Sequence, residues 1–183
     1  MNVVETNISG VLIIEGSRLQ DERGSLSRLF CVDELEAVLD ARTIKQINHS
    51  VTRRVGAVRG LHYQYPPHAE MKIVRCLKGK VFDVAVDLRH GSPTFMQWVS
   101  MELSPAIHRA LVIPEGCAHG FQVLEAQSEL LYLHTALYTP AAEGAVRYDD
   151  PLIGVDWPLE PTDISAKDLS HRYLEKTFKG ISR

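Results

Sequence analysis

The stretch from Arg59 to Lys72 combines residue types that can move protons and hold charge. It reads Arg-Gly-Leu-His-Tyr-Gln-Tyr-Pro-Pro-His-Ala-Glu-Met-Lys, and it places His62 and Lys72 on either side of a Pro-Pro turn. A histidine can transfer a proton near neutral pH, and a lysine ammonium can stabilise a developing negative charge. If both side chains face one pocket, the pair indicates proton-transfer chemistry next to a carbonyl group.

A second histidine and a tyrosine lie in two later segments. The segment Pro114–His119 has the spacing Pro-x-Gly-x-x-His. The segment Glu129–Thr135 alternates like a strand, which puts Tyr132 and His134 on the same face. If that face points inward, the Tyr132 phenol enters the same cavity as His62. From this strand alone, a core tyrosine with its hydroxyl bonded to backbone is the other interpretation.

Short β runs separated by turn residues dominate the chain and must position these groups. The patterns predict strands over 11–14, 44–51, 71–77, 81–88, 95–103, 110–113, 120–124 and 129–135. Strands at this regular spacing favour a β-sandwich or barrel. A short N-terminal helix is predicted over 33–39 with Asp33 as its cap. A C-terminal helix is predicted over 165–178, opened by Ser165 and Asp168 at capping-box spacing.

Composition narrows the class of protein. The 183 residues, 45% hydrophobic and 23% charged, predict one domain spanning 1–183. A net charge of −3 argues against a nucleic-acid partner. The chain shows neither a signal peptide nor an apolar run of about 20 residues, so no membrane association is expected. Three widely spaced cysteines fit a reducing cytoplasm, and Cys76 and Cys117 are expected to be buried.

The segments Gly60–Gln64 and Pro114–His119 together resemble the two motifs of the cupin barrel. Metal-binding cupins carry His-x-His and then Glu in the first motif, whereas this chain has Gln64 at the second histidine. Only His62, His119 and Glu70 then remain as ligands, and a transition metal generally takes three or four. We therefore predict no bound metal, with a metal-dependent cupin oxygenase as the alternative.

Taken together, motifs along nearly the whole chain resemble the dTDP-4-dehydrorhamnose 3,5-epimerase family of nucleotide-sugar enzymes. The markers lie at 21–24, 46–50, 59–64, 72, 83–89, 92–95, 113–121, 132, 138–140, 149–151, 157–158 and 165–168. The resemblance implies a mainly β, cupin or jelly-roll barrel that uses no cofactor and forms a homodimer. It also implies a nucleoside-diphosphate 4-keto-6-deoxy sugar as substrate, epimerised at C3, at C5 or at both.

The same resemblance implies the roles of individual residues. His62 matches the general base, Asp168 the aspartate that orients it, Tyr132 the acid on the opposite face of the sugar, and Lys72 the residue that stabilises the enolate. The implied substrate-binding residues are Arg59, His119, Gln46 and Asn48 in the sugar and pyrophosphate region, Tyr138 near the base, and Arg23 from the partner chain.

The chain departs from the usual family pattern at several positions outside the proposed catalytic set. These positions are Leu26, Arg28, Leu133, His134 and Leu137. Several fall where the nucleotide base or the sugar edge is expected. An alternative is therefore a 3-epimerase that acts on a different nucleotide sugar, and a further one is a sugar-nucleotide binding module without turnover.

Overall fold

Short antiparallel strands make up most of the computed structural model, which describes residues 1–182. Arg183, the last residue of the predicted domain, lies outside the described residues. The strands are β1 (Asn2–Glu5), β2 (Leu12–Glu15), β3 (Arg18–Asp21), β4 (Gly24–Ser27), β5 (Gln46–Thr52), β6 (Val58–Gln64), β7 (Lys72–Lys78), β8 (Val81–Asp87), β9 (Trp98–Leu103), β10 (Arg109–Ile113), β11 (Cys117–Val123), β12 (Ser128–His134) and β13 (Glu143–Ala145). The helical elements are α1 (Glu36–Leu39), α2 (Ala166–Ser170) and a 3₁₀ turn at Pro140–Ala142.

Two large antiparallel sheets share one core. The first has the strand order β1-β2-β10-β7-β12-β5, the second has the order β13-β6-β11-β8-β9, and β3 pairs with β4 as a separate hairpin. The shared core contains Val74 and Leu130 from the first sheet and Ala85 and Phe121 from the second. A fully buried Val, Leu or Phe side chain contributes roughly 1.5–3 kcal/mol, so the sheets are held face to face. The predicted mainly β fold, expected to be a sandwich or barrel, is confirmed, and it is built from two packed antiparallel sheets.

The outer faces of both sheets are also covered. Leu35 and Leu39 of the α1 region pack on the first sheet in a second core. Trp157, Leu174 and Phe178 of the C-terminal segment pack on the second sheet in a third core. The central strands are therefore buried on both sides, and their side chains have little freedom to move. Such strands make a stiff frame for polar groups that point into the space between the sheets.

The predicted C-terminal helix is wrong in length, because helix α2 ends at Ser170 rather than at 178. Its opening is confirmed, since the Ser165 hydroxyl accepts a hydrogen bond from the Asp168 backbone N–H at 3.0 Å. Beyond α2 the chain is irregular with a turn at 176–177, and the Leu174 N–H donates to the Asp150 carboxylate at 2.6 Å. Packing on the second sheet thus overrides the helical pattern.

The N-terminal helix is also shorter than predicted, and Asp33 does not cap it. Helix α1 begins at Glu36, and the buried Leu35 occupies the N-cap position without a side-chain hydrogen bond. The predicted strand over 95–103 begins at Trp98, because the Ser92 and Thr94 hydroxyls both donate to Asp87 and hold the preceding residues in turns.

The sequence patterns did not predict five of the strands, namely β1, β3, β4, β6 and β13.

The expected burial of Cys76 and Cys117 is confirmed, and burial raises the pKa of Cys76 to about 11 and that of Cys117 to about 12. Among residues 1–182, the helices are too short or too polar to cross a lipid bilayer.

Candidate active site

A cavity of about 550 Å³ lies between the two large sheets. This volume falls in the range of roughly 300–1,000 Å³ that is usual for small-molecule sites. Strands β5, β6, β7, β11 and β12 all contribute to its wall. Seven of the residues predicted from sequence line it, namely Asn48, Arg59, His62, Lys72, His119, Tyr132 and Tyr138.

His62 and Asp168 form a hydrogen-bonded pair at the wall of this cavity. The His62 Nε2 atom lies 2.7 Å from Asp168 Oδ1, although the two residues are 106 positions apart. Burial alone would raise the pKa of Asp168, but the hydrogen bond and charge of His62 lower it below the ordinary value. Asp168 is therefore an anion at neutral pH and accepts from Nε2–H. The other ring nitrogen, Nδ1, is left free to accept a proton.

Two glycines set the position of His62 on β6. A Cβ at Gly60 would lie only 2.5 Å from the Gly120 Cα and 2.8 Å from the His119 carbonyl oxygen. Gly60 also has a φ of +123°, which disfavours other residues. The absence of side chains lets β6 and β11 approach closely, and His62 then pairs in register with His119. The Arg-Gly-Leu-His motif thus has a steric basis.

Lys72 enters the cavity from β7, on the opposite sheet. Its residue is 8% exposed, so its ammonium is largely removed from water. The Nζ atom donates to the His62 backbone carbonyl at 3.3 Å and pairs with Glu70 Oε1 at 3.2 Å. These contacts place a positive charge next to His62, as the sequence predicts.

Tyr132 also faces the cavity, so the inward orientation of this face of β12 is confirmed. Leu130 lies in the shared core on the same face, whereas Leu133 packs in the second core on the other. The Tyr132 hydroxyl accepts a long hydrogen bond of 3.5 Å from Ser50 rather than bonding to backbone. Burial raises the pKa of Tyr132 above its ordinary value, so the phenol is protonated at neutral pH and can act as a donor.

His119 belongs to a second imidazole–carboxylate pair, which the sequence patterns missed. Its Nε2 atom lies 2.8 Å from Asp83 Oδ1, and Asp83 is fully buried. The ring also contacts Tyr132 edge to face, with centroids 6.0 Å apart. Asp83 interrupts an apolar strand in the sequence. That position could have indicated the pair, since a buried carboxylate needs a polar partner.

Further polar residues form hydrogen bonds with one another at the edge of the cavity. Gln46 does not line it, but its amide donates to Asn48 at 3.2 Å and accepts from the Tyr138 N–H at 3.1 Å. The Tyr138 hydroxyl donates to Glu143 at 2.8 Å, and Lys167 donates to the same oxygen at 2.6 Å. Glu70, which the sequence suggested only as a possible metal ligand, and Glu143, which it did not single out, also line the cavity.

Arg23 does not line this cavity within one chain. It occupies the turn of the β3–β4 hairpin, where its guanidinium is exposed and donates to Asp21 at 2.7 Å. Of the five family departures, four also do not line the cavity, namely Leu26, Arg28, Leu133 and Leu137. Leu133 is 3% exposed in the second core, and Arg28 forms an ion pair with Glu34.

His62, Gln64 and His119, which stand at the ligand positions of a metal-binding cupin, make other contacts here. The Nε2 atoms of His62 and His119 each face a carboxylate. Gln64 donates to the His68 carbonyl at 2.8 Å and accepts from the Thr139 N–H at 2.6 Å. Among the described residues, His, Cys, Asp and Glu do not gather in any group of three or more suited to a metal ion.

Known proteins resemble this chain over nearly its full length. The profile of dTDP-4-dehydrorhamnose 3,5-epimerase matches residues 5–176. A curated dTDP-4-dehydrorhamnose 3,5-epimerase from Salmonella typhimurium is 42% identical over 180 residues, which is 97% of this chain and 98% of that protein.

Solved structures share the fold and confirm the predicted cupin-like architecture. A dTDP-6-deoxy-D-glucose-3,5-epimerase from Legionella pneumophila, in complex with dTDP-4-keto-L-rhamnose, has a TM-score of 0.91 at 38% identity and covers 100% of this chain and 98% of its own. A 3′-monoepimerase from Streptomyces bikiniensis, in complex with dTDP-quinovose, has a TM-score of 0.86 at 29% identity over 93% of this chain and 86% of its own. By sequence and by structure, the chain belongs to the dTDP-4-dehydrorhamnose 3,5-epimerase family of isomerases.

Proposed function

We propose that this protein epimerises a nucleoside-diphosphate 4-keto-6-deoxy sugar, with dTDP as the nucleotide, at C3, at C5 or at both. The observation that carries the proposal is the His62–Asp168 pair on the wall of a cavity that also holds Lys72 and Tyr132. Relatives that match the full chain are 3,5-epimerases, and one solved relative holds a dTDP-linked 4-keto sugar.

His62 is the proposed base. A ketone at C4 acidifies the protons on C3 and C5, and Nδ1 of His62 takes one of them. Asp168 keeps His62 in the required tautomer and stabilises the imidazolium that forms. The electron pair left on carbon moves onto O4, which becomes an enolate oxygen. A group of this kind typically accelerates proton transfer by roughly 10²–10⁴.

Lys72 and Tyr132 complete the proposed mechanism. The Lys72 ammonium stabilises the charge on O4, and this interaction is stronger in the transition state than in the ground state. Tyr132 then donates its proton to carbon from the face opposite His62, which inverts the centre. His62 lies on one sheet and Tyr132 and Lys72 lie on the other, which supports this division of roles because a sugar ring between the sheets is approached from both sides.

The remaining predicted residues are proposed to bind the substrate. Arg59 and His119 lie on the cavity wall, where a cation and an imidazole can contact the pyrophosphate and sugar oxygens. Asn48 presents its amide beside them, Gln46 supports that amide, and Tyr138 offers an exposed ring to the base.

We further propose that residues 1–183 form one domain. Two copies of it are proposed to form a homodimer in which Arg23 enters the partner's cavity. Leu19 and Leu26 on the same hairpin are 68% and 70% exposed, as expected for apolar residues that a second copy covers. A mixture of Arg23→Ala and His62→Ala chains tests this arrangement. Random pairing should restore about a quarter of the sites, since one site in each mixed dimer is intact. If mixing restores no activity, the proposed dimer arrangement is contradicted.

The free thiols of the described chain support a cytoplasmic location.

Proton NMR in deuterated water tests the function directly. With a dTDP-linked 4-keto-6-deoxy sugar, the protein should replace the protons at C3, C5 or both with deuterium. His62→Ala should slow this exchange by roughly 10²–10⁴. His90→Ala is the matched control, because His90 is exposed and lies outside the cavity. Exchange at the normal rate in His62→Ala removes that residue from the mechanism.

Epimerisation at C3 alone, on another nucleotide sugar, is a second candidate. The 3′-monoepimerase with the same fold supports it. The same NMR experiment with a panel of nucleotide sugars reports which carbon exchanges. Calorimetric titration with dTDP, UDP, CDP and GDP reports the preferred nucleotide, and a clear preference for dTDP excludes a different base.

A further inference from the structure

Glu70 and His134 form a buried polar cluster with Lys72 inside the cavity. One carboxylate oxygen of Glu70 lies 3.2 Å from the Lys72 Nζ atom, and the other lies 2.9 Å from His134 Nδ1. The side chains of Glu70 and His134 are only 7% and 11% exposed. Neither residue has a part in the mechanism described above, yet both line the cavity.

The strand register brings this cluster together. Strand β12 lies between β7 and β5, and His134 pairs with Lys72 on one side and with Gln46 on the other. The His134 ring also stacks on Tyr132 with centroids 6.0 Å apart. His134 therefore lies beside three residues with different proposed functions. Lys72 stabilises charge, Tyr132 donates a proton, and Gln46 supports substrate binding.

The hydrogen bonds fix the tautomer of His134 and, through it, the orientation of an amide. Nδ1–H donates to the Glu70 carboxylate, so Nε2 of the neutral ring is an acceptor. Asn48 Nδ2 lies 3.4 Å from that Nε2 and donates to it, while Asn48 Oδ1 accepts from Gln46 at 3.2 Å. A continuous chain of contacts thus runs from the Lys72 ammonium to the amides at the cavity edge.

Glu70 has two opposing effects on Lys72. Its negative charge holds a flexible ammonium in one place, but it also weakens the positive field that Lys72 exerts on a substrate oxygen. The hydrogen bond from His134 occupies the second carboxylate oxygen and spreads the charge over both. Burial alone would raise the pKa of Glu70, yet His134 and Lys72 lower it below the ordinary value, so the carboxylate is ionised.

We propose that Glu70 and His134 are positioning residues of the epimerase, an inference that rests on the proposed function. Glu70 holds the Lys72 ammonium toward the substrate oxygen. His134 shares the charge of Glu70 through Nδ1 and orients the Asn48 amide through Nε2. Loss of the Nδ1 contact should therefore act on kcat, and loss of the Nε2 contact should act on KM.

Three variants separate these two contacts. His134→Ala removes both, and kcat/KM should fall about tenfold, the effect expected of one hydrogen bond to a charged group. His134→Asn places an amide nitrogen near the position of Nδ1 and should recover most of kcat while KM stays high. His134→Gln reaches toward Asn48 and should recover KM more than kcat. Equal effects of all three on kcat and KM overturn the proposal.

A double-mutant cycle tests the coupling of the pair. Glu70→Gln removes the charge and keeps the shape, and in combination with His134→Ala it should lower kcat no more than the worse single variant does. Strictly additive losses in kcat overturn the coupling. Thermal melting of each variant identifies losses that come from unfolding.

A measurement without substrate separates this proposal from the proposed function. Carboxyl ¹³C NMR of the free protein follows the titration of Glu70, and its pKa should rise in His134→Ala and return toward the original value in His134→Asn. An unchanged Glu70 pKa in His134→Ala overturns the positioning role. Wild-type protein that exchanges no sugar proton overturns the proposed function, whatever the titration shows.

Discussion

Replacing Asp168 by Asn is the sharpest test of the proposed base, because it changes one charge and almost no volume. The Asp168 side chain is 5% exposed and lies 2.7 Å from His62 Nε2. If the amide presents its oxygen, His62 keeps its tautomer but its cation loses a counter-charge. If the amide presents its nitrogen, Nε2 becomes an acceptor, the proton moves to Nδ1, and the base is blocked.

The size of the effect follows from the geometry. Two unit charges about 4 Å apart attract by about 4 kcal/mol at an effective dielectric of about 20. A loss of this size in the transition state corresponds to about 10³ in rate. We therefore expect Asp168→Asn to slow deuterium exchange at the sugar carbons by about 10³.

Proton NMR in deuterated water, with substrate in excess, measures this rate. Asp156→Asn is the matched control, since Asp156 is exposed and the substitution is identical. Circular dichroism confirms that both variants are folded. A folded Asp168→Asn variant that exchanges within threefold of wild type would refute the proposed His62–Asp168 base.

Stability should depend on pH through the same residue. The pKa of Asp168 is lowered in the folded protein, so its stabilising contribution is present above the ordinary aspartate pKa of about 4 and is lost as the pH falls through the folded value. The difference in Tm between wild type and Asp168→Asn should therefore be largest near pH 7 and shrink below pH 4. A difference that grows on acidification contradicts this sign.

Three further substitutions test other parts of the site. Tyr132→Phe should still exchange the proton that His62 removes but should lose inversion, and equal losses in NMR exchange and product formation argue against Tyr132 as the opposite-face donor. Lys72→Gln should slow exchange by roughly 10²–10³ because the enolate loses its cation, and a normal rate excludes that role. Gly60→Ala should lower the free energy of unfolding by more than about 3 kcal/mol in urea, since its Cβ meets the Gly120 backbone at 2.5 Å. Gly154→Ala is the control, because Gly154 also has a positive φ but its added Cβ would meet nothing within 4 Å; it should lower the free energy of unfolding by about 1–2 kcal/mol. Equal losses in the two variants contradict the steric explanation.

The proposed mechanism depends on side chains from both sheets. His62 and His119 come from the paired strands β6 and β11, whereas Lys72 and Tyr132 come from the paired strands β7 and β12. Because the shared core holds the two sheets at a fixed separation, these groups face each other across a cavity that neither sheet forms alone.

Local patterns in the sequence predicted much of the frame. Strict alternation over Glu129–Thr135 placed Tyr132 and His134 on one face, and the structure confirms it. Ser165 and Asp168 marked the start of α2 through a contact three residues apart. Such features depend on neighbours along the chain, so residue order is sufficient to predict them.

Other features depend on contacts between distant segments. The end of α2 is decided by packing on the second sheet, where the partly buried Leu174 and Phe178 contact side chains of its strands. The partners His119 and Asp83 lie 36 positions apart, and Glu70 and His134 lie 64 positions apart. Residue types alone show that a buried carboxylate needs a partner, but they do not identify which one.

The sequence by itself determined that this chain carries a histidine, a lysine and a tyrosine suited to proton transfer, and that the lysine and the tyrosine lie on strands of a β-sandwich or barrel. The family resemblance implied that Asp168 orients His62, but only the tertiary structure gave the contact of 2.7 Å between them and placed Glu70 between Lys72 and His134. The physical reason is that alternation fixes the face of a strand, whereas strand register and sheet packing fix which faces meet.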